Sequence, residues 1–187
     1  MAAAQNTEVQ YLSGRDASAT VEWKFFCSAG QNSGKWRKIA VPSCWEQQGF
    51  GEYTYGRWYK KPSGKPSTET GRYRHEFRVP AAWQGKKVEI VFDGVMTDAT
   101  VSVNGKTAGP THRGAFTRFA YDISRLIDYG GKNTLEVTVK KQSDDSSVNN
   151  AERRADWWLF GGIYRPVYLR ALPKTHIAHT GIDAKAD

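Results

Sequence analysis

Asp156 is followed directly by two indoles and, after two further residues, by a glycine pair: Asp156-Trp157-Trp158-Leu159-Phe160-Gly161-Gly162. A core strand needs the apolar residues of that run but not the carboxylate. A turn needs the glycines but not the tryptophans. A sugar needs nearly all of them. Aromatic planes bury its C–H face, and carboxylates or amides accept from its rim of hydroxyls, in a pocket of mostly apolar lining with a few placed polar groups. Asp156, Trp157, Trp158 and Phe160 therefore form a candidate binding set, because an acid has little reason to adjoin buried aromatics unless it is paired. The competing reading places both tryptophans in a sandwich core, with Asp156 accepting from a loop amide. Gly161 and Gly162 read as structural, allowing a bulge or a close backbone approach where a strand begins.

Other chemistries find little support. His75, His112, His176 and His179 are isolated, and none pairs with a nearby Ser or Cys in a nucleophile–base pattern. No glycine-rich phosphate loop follows a strand, and no zinc spacing is present. Cutting a glycosidic bond takes two carboxylates about 5–5.5 Å apart, or ~6.5–9.5 Å apart for inversion. Nothing in the sequence pairs any two acids in that way, so the chain is not expected to be a catalyst by itself. Cys27 and Cys44 are too few for a disulfide framework; two thiols and one bridge both remain open.

The elements that must position the set are strands. "RYRHEFRV" (72–79) alternates Tyr73, His75, Phe77 and Val79 against Arg72, Arg74, Glu76 and Arg78. "KVEIVFD" (87–93) turns Val88, Ile90 and Phe92 inward, and "NTLEVTVKK" (133–141) alternates Leu135, Val137 and Val139. "ATVSV" (99–103) runs into Asn104-Gly105, a tight-hairpin signal. "VEWKFF" (21–26) and "IYRPVYL" (163–169) supply two more strands, the latter an edge or bulged strand because Pro166 cannot donate to a ladder. Helix is scarce: "YDISRLI" (121–127) allows one turn capped by Asp122. This pattern argues for an antiparallel β-sandwich. Two long polar loops, 57–71 and 141–156, stand out, and the second delivers the chain to Asp156. "VPSCWEQQGFGEYTYGRWY" (41–59) interleaves Trp45, Phe50, Tyr53, Tyr55, Trp58 and Tyr59 with glycines. It reads as a packed loop over one end of the sandwich or as a wall of a binding site; stacking on single-stranded bases would use similar residues.

Composition fits a globular chain. The charged fraction is 25% and the hydrophobic fraction 39%, and no run approaches the roughly 20 apolar residues of a membrane span. "MAAAQNTEVQ" has neither a basic nor an apolar leader region, so no signal peptide is visible. Lys and Arg (27) exceed Asp and Glu (19), but they are scattered, with one mild cluster at 57–65, and read as a solvated basic surface.

"VPSCWEQQGFGEYTYG", "GRYRHEFRVP", "VEIVFDGVMTDATVSVNGKTAG", "RFAYDISRLI", "NTLEVTV" and "DWWLFGGIYRPVYL" follow one another in the order seen in glycoside hydrolase family 2. The chain resembles that family's N-terminal sugar-binding-like domain, an all-β, antiparallel jelly-roll sandwich of the galactose-binding-domain type. The resemblance implies an N-terminal extension at 1–19, the sandwich at 20–172, and a linker with the first strand of an immunoglobulin-like domain at 173–187. It implies a parent exo-β-glycosidase, most similar to β-galactosidases, whose catalytic glutamates lie on a later (β/α)₈ barrel. Such a barrel alone takes about 250 residues. The domain would then perform no catalysis. It would contact the terminal sugar through Asp156, Trp157, Trp158 and Tyr55, the last standing where many β-galactosidases have Asn. The resemblance implies no cofactor for the domain, although sodium or magnesium can serve the full-length enzyme, with Asp156 a sodium ligand. The partners it implies are a terminal β-linked sugar, the immunoglobulin-like and barrel domains of the same chain, and a homo-oligomer, with no nucleic acid and no membrane. The compartment it implies is periplasmic or extracellular. A stand-alone carbohydrate-binding module and a purely structural domain are the alternatives.

Overall fold

The computed structural model describes residues 6–60, 64–177 and 180–185. The strands among them are β1 (Glu8–Tyr11), β2 (Val21–Cys27), β3 (Trp36–Val41), β4 (Thr54–Tyr55), β5 (Thr70–Arg78), β6 (Lys87–Phe92), β7 (Val95–Met96), β8 (Asp98–Val103), β9 (Lys106–Thr107), β10 (Phe119–Asp122), β11 (Lys132–Lys140), β12 (Trp158–Leu159), β13 (Gly162–Ile163) and β14 (Val167–Leu172). One short helix, α1 (Ser146–Glu152), lies between β11 and β12.

Two sheets face each other, one ordered β3-β2-β5-β11-β8-β9 and the other β1-β14-β6-β10. All of their strand pairs are antiparallel. The alternation read from the sequence decides which side chains meet between them. Trp23, Phe25, Tyr73, Val101, Leu135 and Val137 come from one sheet; Val88, Ile90, Phe92, Val167 and Leu169 come from the other. Burying side chains of this size is worth roughly 1.5–3 kcal/mol each, and that interior holds the sandwich together. The Asn104-Gly105 hairpin is formed between β8 and β9, with φ of 51° and 75° at the two turn residues, as a mirror-image turn requires.

The structure corrects several boundaries. Residues expected in an N-terminal extension belong to the sandwich, because β1 pairs with β14 over Glu8–Tyr11 and Leu12 is buried beneath it. Pro166 does not mark an edge. The run around it splits: β13 pairs with β7, while β14 lies inside its sheet between β1 and β6. Pro166 precedes β14, and its carbonyl accepts from Asp93 N–H, so no ladder donor is missed. At 121–127 the chain finishes β10 and then turns, with no helical segment. There Asp122 Oδ1 accepts from the N–H and hydroxyl of Ser124, at 3.0 and 2.6 Å. The loop at 141–156 contains α1, whose cap Asp145 accepts from Ser147 N–H at 2.8 Å. Beyond β14, the described residues 173–177 and 180–185 form no strand. Cys27 and Cys44 are both free thiols. Burial raises the pKa of each, that of Cys44 to about 11.

Candidate functional site

Three loop segments close one end of the sandwich, and a buried ion cluster ties them together. Lys141 follows β11, and its side chain is 0% exposed. Its ammonium lies 2.8 Å from Glu46 Oε1 and 3.2 Å from Glu69 Oε2, and it donates to the Glu52 carbonyl. Glu69 also accepts from Glu52 N–H at 2.8 Å and from Trp45 Nε1 at 3.2 Å. Glu46 accepts from Gly161 N–H at 3.1 and 3.0 Å through its two oxygens. Arg153, also buried, donates to the carbonyls of Lys141 (2.7 Å) and Phe160 (2.5 Å). A buried charge survives only when it is compensated: Lys141, Glu46 and Glu69 are paired and hydrogen-bonded, while Arg153 is held by backbone carbonyls alone, with its Nε unpartnered among the described residues. Burial raises the pKa of Glu46 against the pull of Lys141, and burial lowers that of Arg153 to about 10, so the guanidinium stays charged at neutral pH. Glu46 and Glu69 converge on an ammonium below the surface, an arrangement suited to holding loops. Sequence reasoning missed this cluster.

Trp45 is the floor of this end, fully buried. Gly161 lies so close to it that an added Cβ would come within 2.1 Å of Trp45 Cζ2. Gly162 adopts φ of 130°, and an added Cβ there would lie 2.7 Å from the Ser43 carbonyl oxygen. The close backbone approach expected of the glycine pair is thus explained by one indole and one carbonyl.

Above this floor, β12 pairs with β4, setting Trp158 opposite Tyr55 and Leu159 opposite Thr54. Gly56 N–H donates to the Trp157 carbonyl at 2.8 Å, extending the contact. Leu159 turns inward and is buried, so Trp158 turns outward, 51% exposed; Trp157 is 48% exposed. The core reading of these two tryptophans is therefore overturned: Trp45 fills the interior in their place. Asp156 is exposed beside them. One of its oxygens accepts from the Tyr55 hydroxyl at 3.2 Å, and the other is ion-paired with the Arg57 guanidinium. Tyr55 meets Trp158 edge to face at 5.3 Å, and Tyr53 meets Trp158 and Phe160 at 5.9 and 6.1 Å. Arg154 lies over Trp58 and Tyr59, at 5.9 and 5.2 Å from their ring centres. Tyr53, Tyr55 and Trp58 also line an open groove of about 390 Å³ against the 65–69 segment.

Asp156, Tyr55 and Trp158 are thus brought into one group, with Phe160 joined through Tyr53. Trp157 stands beside them with no ring partner among the described residues. Arg57 is the member that sequence reading did not find. The two carboxylate oxygens of Asp156 are met by the Tyr55 hydroxyl and the Arg57 guanidinium. No three His, Cys, Asp or Glu side chains converge elsewhere among the described residues.

The sandwich and its rim define a class: an antiparallel β-sandwich presenting aromatic rings and a carboxylate from the loops at one end. The family profile "Glycosyl hydrolases family 2, sugar binding domain" matches residues 10–173, and the chain belongs to that family. It is 41% identical over 105 residues to a β-galactosidase of Thermoanaerobacter pseudethanolicus, a match covering 56% of this chain and 14% of that protein. It is 30% identical over 163 residues to a β-galactosidase of Priestia megaterium, covering 82% of this chain and 15% of the relative. Among solved structures, the β-glucuronidase of Bacteroides uniformis superposes with a TM-score of 0.62 at 26% identity, covering 90% of this chain and 18% of that one. The chain thus spans about a seventh of the length of the curated relatives it matches.

Proposed function

We propose that this domain completes the terminal-sugar subsite of a longer exo-β-glycosidase, and that bond cleavage is carried by residues outside these 187. The observation that carries the reading is the exposure of Asp156 at the rim, with the Tyr55 hydroxyl and the Trp158 ring beside it. A sugar hydroxyl would donate to the carboxylate, and the indole would cover a C–H face. Holding the sugar in register with catalytic groups elsewhere lowers the barrier without any proton transfer by this domain. The rim is an open half-site. Its exposed aromatic rings are suited to packing against another domain of the same protein, the immunoglobulin-like and barrel domains being the partners proposed.

A β-galactoside is the proposed substrate. Arg57 favours a second reading, a β-glucuronide, because a guanidinium beside the sugar site can receive the planar carboxylate of a uronic acid. In the complete enzyme, Asp156→Ala should lower kcat/KM on the cognate glycoside about 10- to 100-fold, the equivalent of a charge-assisted hydrogen bond worth roughly 1.5–3 kcal/mol. An unchanged kcat/KM would remove Asp156 from the subsite. Arg57→Leu separates the two substrates: a selective loss on glucuronides supports the uronate reading, and equal effects on both count against it.

A further inference from the structure

The outer face of the six-stranded sheet carries a second feature, built on elements other than the rim. Register sets Lys38, Lys24 and Arg74 side by side across β3, β2 and β5, with Lys24 directly opposite both of the others. Like charges directly opposite each other destabilise a sheet. The row is only partly neutralised from its two ends, by Glu22 on Lys38 at 2.5 Å and by Glu136 on Arg74 at 2.6 Å. Lys24 has no carboxylate partner among the described residues. The neighbouring row is Trp36, Phe26 and Arg72, also in register. Arg72 lies over the Phe26 ring at 4.5 Å and over Trp36 at 5.4 Å, and it too has no acid partner among the described residues. Arg74 lies over Trp36 from the other row, at 5.2 Å.

Two guanidiniums are therefore held on aromatic rings, which limits their rotamer freedom; Arg72 keeps its N–H edges for a ligand, while Arg74 gives Nε and Nη2 to Glu136 and keeps only Nη1. An open depression of about 420 Å³ is lined by Lys24, Trp36, Arg37, Lys38 and Arg74, four cations and an indole with no acid. Adjacent strands are about 4.8 Å apart, so the cations form a flat ladder, which suits an extended polymer with repeated negative groups. A stacked arginine fork matches a planar carboxylate in bidentate fashion, and the exposed indole edge offers a C–H contact. In a domain of a saccharide-processing family, the polymer combining both features is an acidic polysaccharide.

We propose that the outer face of β3, β2 and β5 binds a polyuronate chain, separately from the Asp156 rim. Trp36 and Phe26 seat the arginines, Arg72 takes a carboxylate with its open fork, Arg74 adds its free Nη1, and Lys24 adds unpaired positive charge. The test is calorimetric titration of this chain with polygalacturonate at about 0.15 M salt, where long-range attraction between exposed charges is largely screened. Neutral galactan, polyglutamate and single-stranded DNA are the comparison polymers. The expected result is saturable binding to polygalacturonate and none to galactan. The double variant Arg72→Gln/Arg74→Gln should weaken it at least tenfold and Trp36→Ala at least threefold, with thermal melts reporting that each variant is folded. The proposal is overturned by absence of saturable binding, by polyglutamate or DNA binding as tightly as polygalacturonate, or by folded arginine variants that bind like the parent.

Discussion

Asp156 owes its position to neighbours distant in sequence: the Tyr55 hydroxyl that contacts it lies 101 positions away. An acid beside two indoles was legible as a candidate sugar contact because residue types alone carry that chemistry. Arg57 was not legible, because its approach depends on the two-residue pairing of β12 with β4, which no local pattern announces. Gly161 shows how little room this arrangement has. A methyl group there meets the Trp45 ring, which is buried and cannot withdraw. Gly161→Ala should destabilise the domain by about 1–3 kcal/mol, the usual cost of overpacking, and disturb the donation to Glu46. Chemical denaturation checks this; a stability equal to the parent would mean that the Trp45 floor is looser than drawn.

Strands followed from alternation, since period-two burial is a local property, and β2, β5, β8 and β11 lie where their inward residues required. The same alternation carried information that a reading of apolar residues alone passes over. Leu135, Val137 and Val139 point inward, and continuing that parity by one step puts Lys141 inward as well. A lysine that continues the buried face of a strand demands carboxylates, and Glu46 and Glu69 supply them from an aromatic-rich segment and a Pro- and Gly-containing loop that do not announce the pairing in sequence. Short elements were harder to read. The helix α1 escaped notice because its seven residues offer no apolar stripe, although Asp145 and Ser147 form an ordinary cap. Removing Lys141 tests the cluster. Lys141→Met strands two buried carboxylates, at a cost of about 3–5 kcal/mol. Adding Glu46→Gln to that variant should recover part of the loss. Urea unfolding of the single and double variants reads both effects, and a Lys141→Met protein as stable as the parent would contradict the structural role given to the cluster.

The whole molecule has a pH dependence whose direction follows from two histidines. His75 stacks on Trp23 at 4.6 Å and His112 on Phe119 at 3.9 Å, and burial holds both imidazoles below their ordinary pKa. Below pH 6.5 the unfolded chain binds more protons at these two positions than the folded one. Their contribution to stability is therefore present above that pH and is lost as pH falls through the lower folded values. Melting temperature should drop on acidification from about pH 6.5 to 5, before most carboxylates titrate, and His75→Phe/His112→Phe should flatten the slope. An unchanged slope in that variant would assign the effect elsewhere. At this scale the domain is a two-sheet frame that offers a carboxylate from one end, and the proposed function rests on direct contact between Asp156 and a substrate hydroxyl. A double-mutant cycle in the complete enzyme measures that contact, comparing kcat/KM for the cognate glycoside and its singly deoxygenated analogues, with and without Asp156→Ala. Direct contact gives at least one hydroxyl whose removal is costly in the parent and nearly free in the variant, a coupling of about 1 kcal/mol or more. Strictly additive losses at every hydroxyl would contradict it.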